Sequence, residues 1–220
     1  MRILAIVILA LTIAPLTAGA FVGSLISTDL GVLGTGNWII TGPTSLSWDV
    51  QFDYNANNWL YSYEFRHPVG ATSHFILEVS PTFTCEDIIS SSGDFDGISV
   101  DWFGPGGSNP NMPGSMYAVK FDNATGLDTH IEFRTLRAPV WGDFYSKDGQ
   151  AGGYGWDAAW NAGFTSSDTD PSAPAANGTV ENHILVPDTF DHIPEVPEPS
   201  TLLLLGSGLL GGVAFLRKRR

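Results

Sequence analysis

The stretch SGDFDGISVDW, residues 92–102, sets Asp94, Asp96 and Asp101 around Gly97. Closely spaced carboxylates are hard oxygen donors, and calcium takes about six to eight such oxygens. This is the chain's calcium candidate, although it lacks an EF-hand's spacing and its closing Glu. The plainer use of such a stretch is an acidic hairpin turn, and that is the expectation. The five histidines are scattered: His67 follows a strand pattern, His74 and His130 fall at polar strand positions, and His183 and His192 lie near the C-terminal proline-rich stretch. No spacing among them suggests a zinc site. Glu64, Glu78 and Glu132 read as solvent-facing strand carboxylates. A pair of them could hydrolyse a glycosidic bond only at defined separations within a cleft. Trp102, Trp141, Trp156 and Trp160 lie in or beside loops, where indoles can stack on sugar rings. The expectation is that at most two of them are largely exposed, since tryptophan is more often core. No GxSxG, HExxH or P-loop motif is present, and the single cysteine, Cys85, has no partner for an internal disulfide. It reads as a buried, inert thiol.

What positions these residues is a series of alternating segments. In LSWDVQFD, Leu46, Trp48, Val50 and Phe52 alternate with polar residues, and WLYSYEFR repeats the pattern with Trp59, Tyr61, Tyr63 and Phe65. HFILEVS, GISVDW, MYAVKF and HIEFRT follow suit. A period of two is that of strands with one buried face. Turn residues punctuate them at Gly42-Pro43, Asn55–Asn58, Pro68–Gly70 and Asn123–Gly126. Eight or nine short strands without a long amphipathic helix predict an all-β ectodomain, an antiparallel β-sandwich or jelly roll. Trp48, Val50, Phe52, Tyr63, Phe65, Phe75, Leu77, Val79, Val119, Phe121 and Ile131 should be buried. Thr84 with Asp87 imitates a capping box and predicts one helical turn, and DAAWNAGF could be another. Residues 103–115, 146–157 and 165–179 read as loops. The last of these, and the proline-rich stalk after Pro187, should pack on nothing because they offer little apolar area.

Composition narrows the function classes. Between Phe21 and Glu195 there are 22 acidic and 5 basic residues, a net charge near −17 with histidine neutral. Such a surface repels nucleic-acid phosphates and anionic membranes, so no nucleic-acid partner is expected. The acidity serves solubility or attracts divalent cations.

The ends carry addresses. MRILAIVILALTIAPLTAGA has one cation, an apolar run, and small residues Ala18 and Ala20 that suit a signal-peptidase pocket. Residues 1–20 therefore read as a secretory signal handled by the Sec translocon and cleaved after Ala20, with an uncleaved membrane helix as the other reading. Residues 201–216 carry no charge and would span about 24 Å as a helix, against a hydrocarbon core of about 30 Å. Arg217, Lys218, Arg219 and Arg220 follow, with long stems that extend its reach and a preference for the cytoplasmic side. The reading is an ectodomain at 21–186, a stalk at 187–200, a single transmembrane helix at 201–216 and a basic cytoplasmic tail at 217–220.

The sequence VPEPS, a Leu/Gly-rich span and an Arg-rich end together resemble the PEP-CTERM sorting signal of Gram-negative bacteria, with Pro197, Glu198 and Pro199 as its tripeptide. The resemblance implies recognition by an exosortase, an integral-membrane transpeptidase-like enzyme that cuts near the tripeptide. It also implies a membrane-held precursor with its domain in the periplasm, passed on to the cell surface or extracellular polymeric matrix. VWGDFYSKDG, residues 140–149, also resembles a segment of uncharacterised PEP-CTERM proteins and carries no implied activity. The expectation is a non-enzymatic surface or matrix protein without a cofactor. A polysaccharide-binding module and a secreted glycoside hydrolase are the alternatives.

Overall fold

A computed structural model describes residues 20–187, apart from 125 and 166–168. Ala18, the stalk, Pro197–Pro199, the apolar span and Arg217–Arg220 lie outside the described residues. Among the described residues no helix is long and apolar enough to cross a membrane.

Thirteen strands form among the described residues, more than the eight or nine expected. They are β1 (Ala20–Ile26), β2 (Val32–Thr35), β3 (Ser45–Asp53), β4 (Asn58–Arg66), β5 (Thr72–Glu78), β6 (Ser90–Gly93) and β7 (Gly97–Phe103). There follow β8 (Met116–Asp122), β9 (Asp128–Thr135), β10 (Pro139–Gly142), β11 (Phe144–Gly152), β12 (Gly155–Asn161) and β13 (Ile184–Pro187). A single turn of helix, α1 (Asn37–Ile40), separates β2 from β3. Five strands pair in the order β1-β3-β4-β9-β6, six in the order β2-β12-β11-β5-β8-β7, and β10 pairs with β13. Every pairing is antiparallel.

The two large sheets face each other through aromatic rings, which identifies the architecture as a sandwich. Phe75 of one sheet lies 5.9 Å from Phe65 and 6.3 Å from Tyr63 of the other, and Phe121 lies 5.8 Å from Phe133. The alternating positions supply this layer as expected, and Trp48, Val50, Tyr63, Phe65, Phe75, Leu77, Val79, Val119, Phe121 and Ile131 are all buried. Phe52 departs from the expectation: near the end of β3, it is half-buried. A tyrosine buried in such a layer needs a partner for its hydroxyl. Tyr63 donates to the Leu185 carbonyl at 2.7 Å and Tyr61 to the Arg137 carbonyl at 3.0 Å.

Four local expectations are corrected. Residues 146–157, read as a loop, form most of the β11–β12 hairpin, with a register shift between Lys147 and Ala151 and a turn closed by Gly155 at φ +91°. DAAWNAGF is largely strand β12, because Asp157, Ala158 and Ala159 are all buried between neighbouring strands. Cys85 is exposed. It sits in the 3₁₀ turn Cys85–Asp87, where Thr84 and Asp87 do form the expected capping box.

The fourth correction concerns 165–179, whose described residues 169–179 are irregular but pack. Val22 sits on β1, an edge strand whose outer N–H and C=O groups have no strand partner. Asn177 Oδ1 accepts the Val22 N–H at 3.0 Å, and the Gly178 N–H donates to the Val22 carbonyl at 2.8 Å. Ala175 packs against the core, and the Pro174 carbonyl accepts from Trp141 Nε1 at 3.3 Å. The segment offers little apolar area, yet the Asn177 side chain and the Gly178 backbone satisfy the β1 edge at Val22.

A candidate metal cluster beside a surface groove

The structure does not bring Asp94, Asp96 and Asp101 together. Asp94 accepts the His130 N–H at 2.9 Å in the β6–β7 turn, whereas Asp101 lies out on β7 and accepts the Trp102 N–H at 2.7 Å. The Asp94 and Asp101 carboxylates each accept from a backbone N–H. The set of donors that converges among the described residues is Asp143, Asp170 and His183, whose ligand atoms all lie within 4.8 Å of one another.

Each member is placed by its own element. Asp143 links β10 to β11 and is clamped by Glu78 at the end of β5. Its N–H donates to Glu78 Oε2 at 2.8 Å, and its carbonyl accepts the Glu78 N–H at 2.9 Å. Glu78 is thus a structural partner rather than a purely solvent-facing carboxylate. Glycine is required at 142 by close approach: a Cβ there would meet Val186 at 2.5 Å and Glu78 Oε2 at 2.8 Å. Asn161 then fixes the Asp143 carboxylate by donating from Nδ2 to Oδ1, while its own Oδ1 accepts the Phe144 N–H at 2.9 Å.

His183 follows a tight turn in which Glu181 and Asn182 both have positive φ, 51° and 62°, as a type I′ turn demands. The Val180 carbonyl closes that turn by accepting the His183 N–H at 2.8 Å, and it also faces His183 Nδ1 at 3.3 Å. A carbonyl only accepts, so Nδ1 carries a hydrogen and Nε2 is the nitrogen turned toward the carboxylates. The ring lies against Gly163, where a Cβ would meet it at 2.7 Å. Nε2 stands 3.6 Å from Asp143 Oδ1 and 3.7 Å from Asp170 Oδ1. Asp143 and His183 are buried, while Asp170 is about one-third exposed.

Asp170 also lines a groove of about 280 Å³, together with Glu78, Trp102, Ser115, Tyr117 and Trp141. Trp102 is the most open of the four tryptophans singled out from the sequence, 62 % exposed, and it meets the Tyr117 ring edge-on at 5.6 Å. Trp141 is buried, and Trp156 and Trp160 are half-buried, so the expectation of at most two largely exposed indoles holds. No exposed row of three is formed.

His74, expected at a polar strand position, is buried. It faces Asn109 Oδ1 at 3.0 Å, and its ring is held neutral. Burial is the main cause, with the Lys120 and Lys147 charges adding to it, and the imidazole is pulled down to about 4. His67 is likewise buried, stacked 4.3 Å from Trp38.

Set against known families, the C-terminal residues 195–220 match the model of the PEP-CTERM protein-sorting motif. No curated protein and no solved structure matches the chain.

Proposed function

We propose that this chain, which ends in a PEP-CTERM protein-sorting motif and is thereby marked as an exported exosortase substrate, is a non-enzymatic component of the cell surface or extracellular polymeric matrix. The motif carries the reading: it implies a membrane-anchored precursor and an exosortase as its processing partner. The domain's strongly acidic composition supports it, since like charge keeps a crowded exported protein soluble. In the proposed route the domain is held in the periplasm by residues 201–216, with Arg217–Arg220 retained on the cytoplasmic side. Exosortase then acts near Pro197–Pro199. Signal cleavage after Ala20 leaves Phe21, paired with Val50, as the first residue of β1.

Mass spectrometry of the exported protein from a host that carries the enzyme tests this. The expected C-terminus lies near Pro199, and replacing Pro197, Glu198 and Pro199 with alanine leaves the uncut form on the membrane. Exported protein that still ends in Arg220 overturns the reading.

The groove favours a second reading, attachment to matrix polysaccharide. Trp102 lines the groove and is largely exposed, and Glu78, Ser115 and Asp170 line it with polar groups, the combination of one flat apolar surface and a few polar contacts that a sugar ring uses. Trp102→Ala should abolish retardation of the protein in gels cast with the host's own polysaccharide, with no change in unfolding midpoint because the indole is exposed. Equal retardation of parent and variant removes this reading and leaves the sorting argument untouched.

A further inference from the structure

The segment VWGDFYSKDG contributes Asp143 to a cluster whose other members come from an irregular segment and from the turn before β13. We propose that Asp143, Asp170 and His183 bind one divalent transition-metal ion of the zinc class.

Three observations carry this. The first is distance. A charge-assisted N–H···O bond closes to about 2.7–2.9 Å, yet His183 Nε2 stands 3.6 and 3.7 Å from the two carboxylate oxygens. Tetrahedral zinc with bonds of about 2.0–2.2 Å holds its donors roughly 3.3–3.5 Å apart, so these two edges of the cluster are closer to the span of a shared ion than to direct pairing. The second is charge. Two carboxylates meet here, one of them wholly buried, and buried charge is costly unless compensated. A divalent ion carries two positive charges to them, and the imidazole serves as a neutral ligand. The third is support from around the donors. The Nδ1 hydrogen of His183 points to the Val180 carbonyl and Asn161 donates to the Asp143 carboxylate, the outer contacts that fix tautomer and ring orientation in metal sites. Three protein donors leave one position of a tetrahedral ion open, and the partly exposed Asp170 gives the ion a way in.

The consequence is mechanical. Asp170 belongs to the irregular segment that covers the β1 edge, so the ion fastens that segment to Asp143 and His183.

The test is calorimetric titration of Zn²⁺ into the full chain in detergent, stripped of metal with a chelator and carrying Cys85→Ser so that the exposed thiol takes no part. One equivalent should bind, with a rise in melting temperature. Asp170→Asn and His183→Gln should each lower the affinity by about 100-fold and abolish that rise. The partly exposed position of Asp170 makes its variant the decisive one if His183→Gln fails to fold. No saturable binding, or binding as tight in Asp170→Asn as in the parent, overturns the proposal.

Discussion

Arg137→Met should lose about 3–5 kcal/mol of unfolding free energy in urea at pH 7, the range for breaking a buried ion pair by removing one partner. Arg137 is only 7 % exposed and lies just beyond β9. Its Nε donates to Asp87 Oδ1 at 3.0 Å, Nη1 to Thr82 Oγ1 at 3.1 Å and Nη2 to the Thr82 carbonyl at 3.0 Å. The guanidinium also covers the buried Phe83 ring at 5.9 Å. Methionine fills part of the volume but takes from Asp87 the guanidinium at 3.0 Å and from Thr82 the two Arg137 hydrogen bonds. Burial pushes the Asp87 carboxyl up, while bonds from Arg137 and Thr84 outweigh that and hold it below its ordinary value. The pair's contribution is therefore complete at neutral pH and fades only as pH falls below the usual carboxylate range. Arg137→Lys should recover a minor part, because an ammonium cannot serve three acceptors in the plane of a fork. Arg66 is the control: its partners Glu64 and Asp128 are exposed, and Arg66→Met should change stability by less than about 1 kcal/mol. A loss under about 1 kcal/mol for Arg137→Met would show that the cation is not what fastens the 3₁₀ turn to the link between β9 and β10.

His74 makes the domain sensitive to mild acid. An unfolded chain takes up the histidine proton near pH 6.5, whereas the buried imidazole takes it up only near 4. Stability is complete above 6.5 and is lost as pH falls from there toward 4, because the proton binds the unfolded chain first. The linkage relation gives a loss of about 2 kcal/mol by pH 5 and about 3 kcal/mol by pH 4. The pull on His67 is also downward, with burial as its main cause, and acts in the same direction. His74→Gln keeps a polar group opposite Asn109 and cannot titrate. Its unfolding free energy, relative to the parent, should therefore improve by about 2 kcal/mol between pH 7.5 and 5. An offset that stays constant across that range would remove His74 as the cause.

The alternation made the sheet faces legible. Trp48, Tyr63, Phe75 and Phe121 stand where a period of two puts them, because slipping a strand by one residue would bury Asp49 or Glu64 instead. Where both faces of a strand are covered the alternation disappears, so Asp157-Ala158-Ala159 gave no strand signal and resembled a helical turn. The β11–β12 hairpin was hidden by its glycines, which permit a bulge and a positive φ but also occur in open loops. His74 and Cys85 were misread for a related reason: a single residue's position in a pattern does not say what covers it. The sorting motif was legible because all its parts are contiguous. The cluster of Asp143, Asp170 and His183 was not, since its members are far apart in sequence and meet only through the Glu78 clamp, the Asn177–Gly178 contact with β1 and the left-handed turn at Glu181-Asn182.

The placement of β13 also has a bearing on timing. Leu185, in the last described strand, accepts the hydrogen bond of Tyr63 in the middle of the core, and among the described residues β10 pairs only with β13. Hairpins such as β3–β4 can close as soon as both strands are free to pair, but β2 must wait for β12, and the β1 edge for Asn177 and Gly178. Pairings of such long separation close slowly. A chain that becomes free to fold N-terminus first therefore keeps open strand edges and an unsealed aromatic layer until its last strand is available. Chaperones that hold strand edges should matter most in that interval.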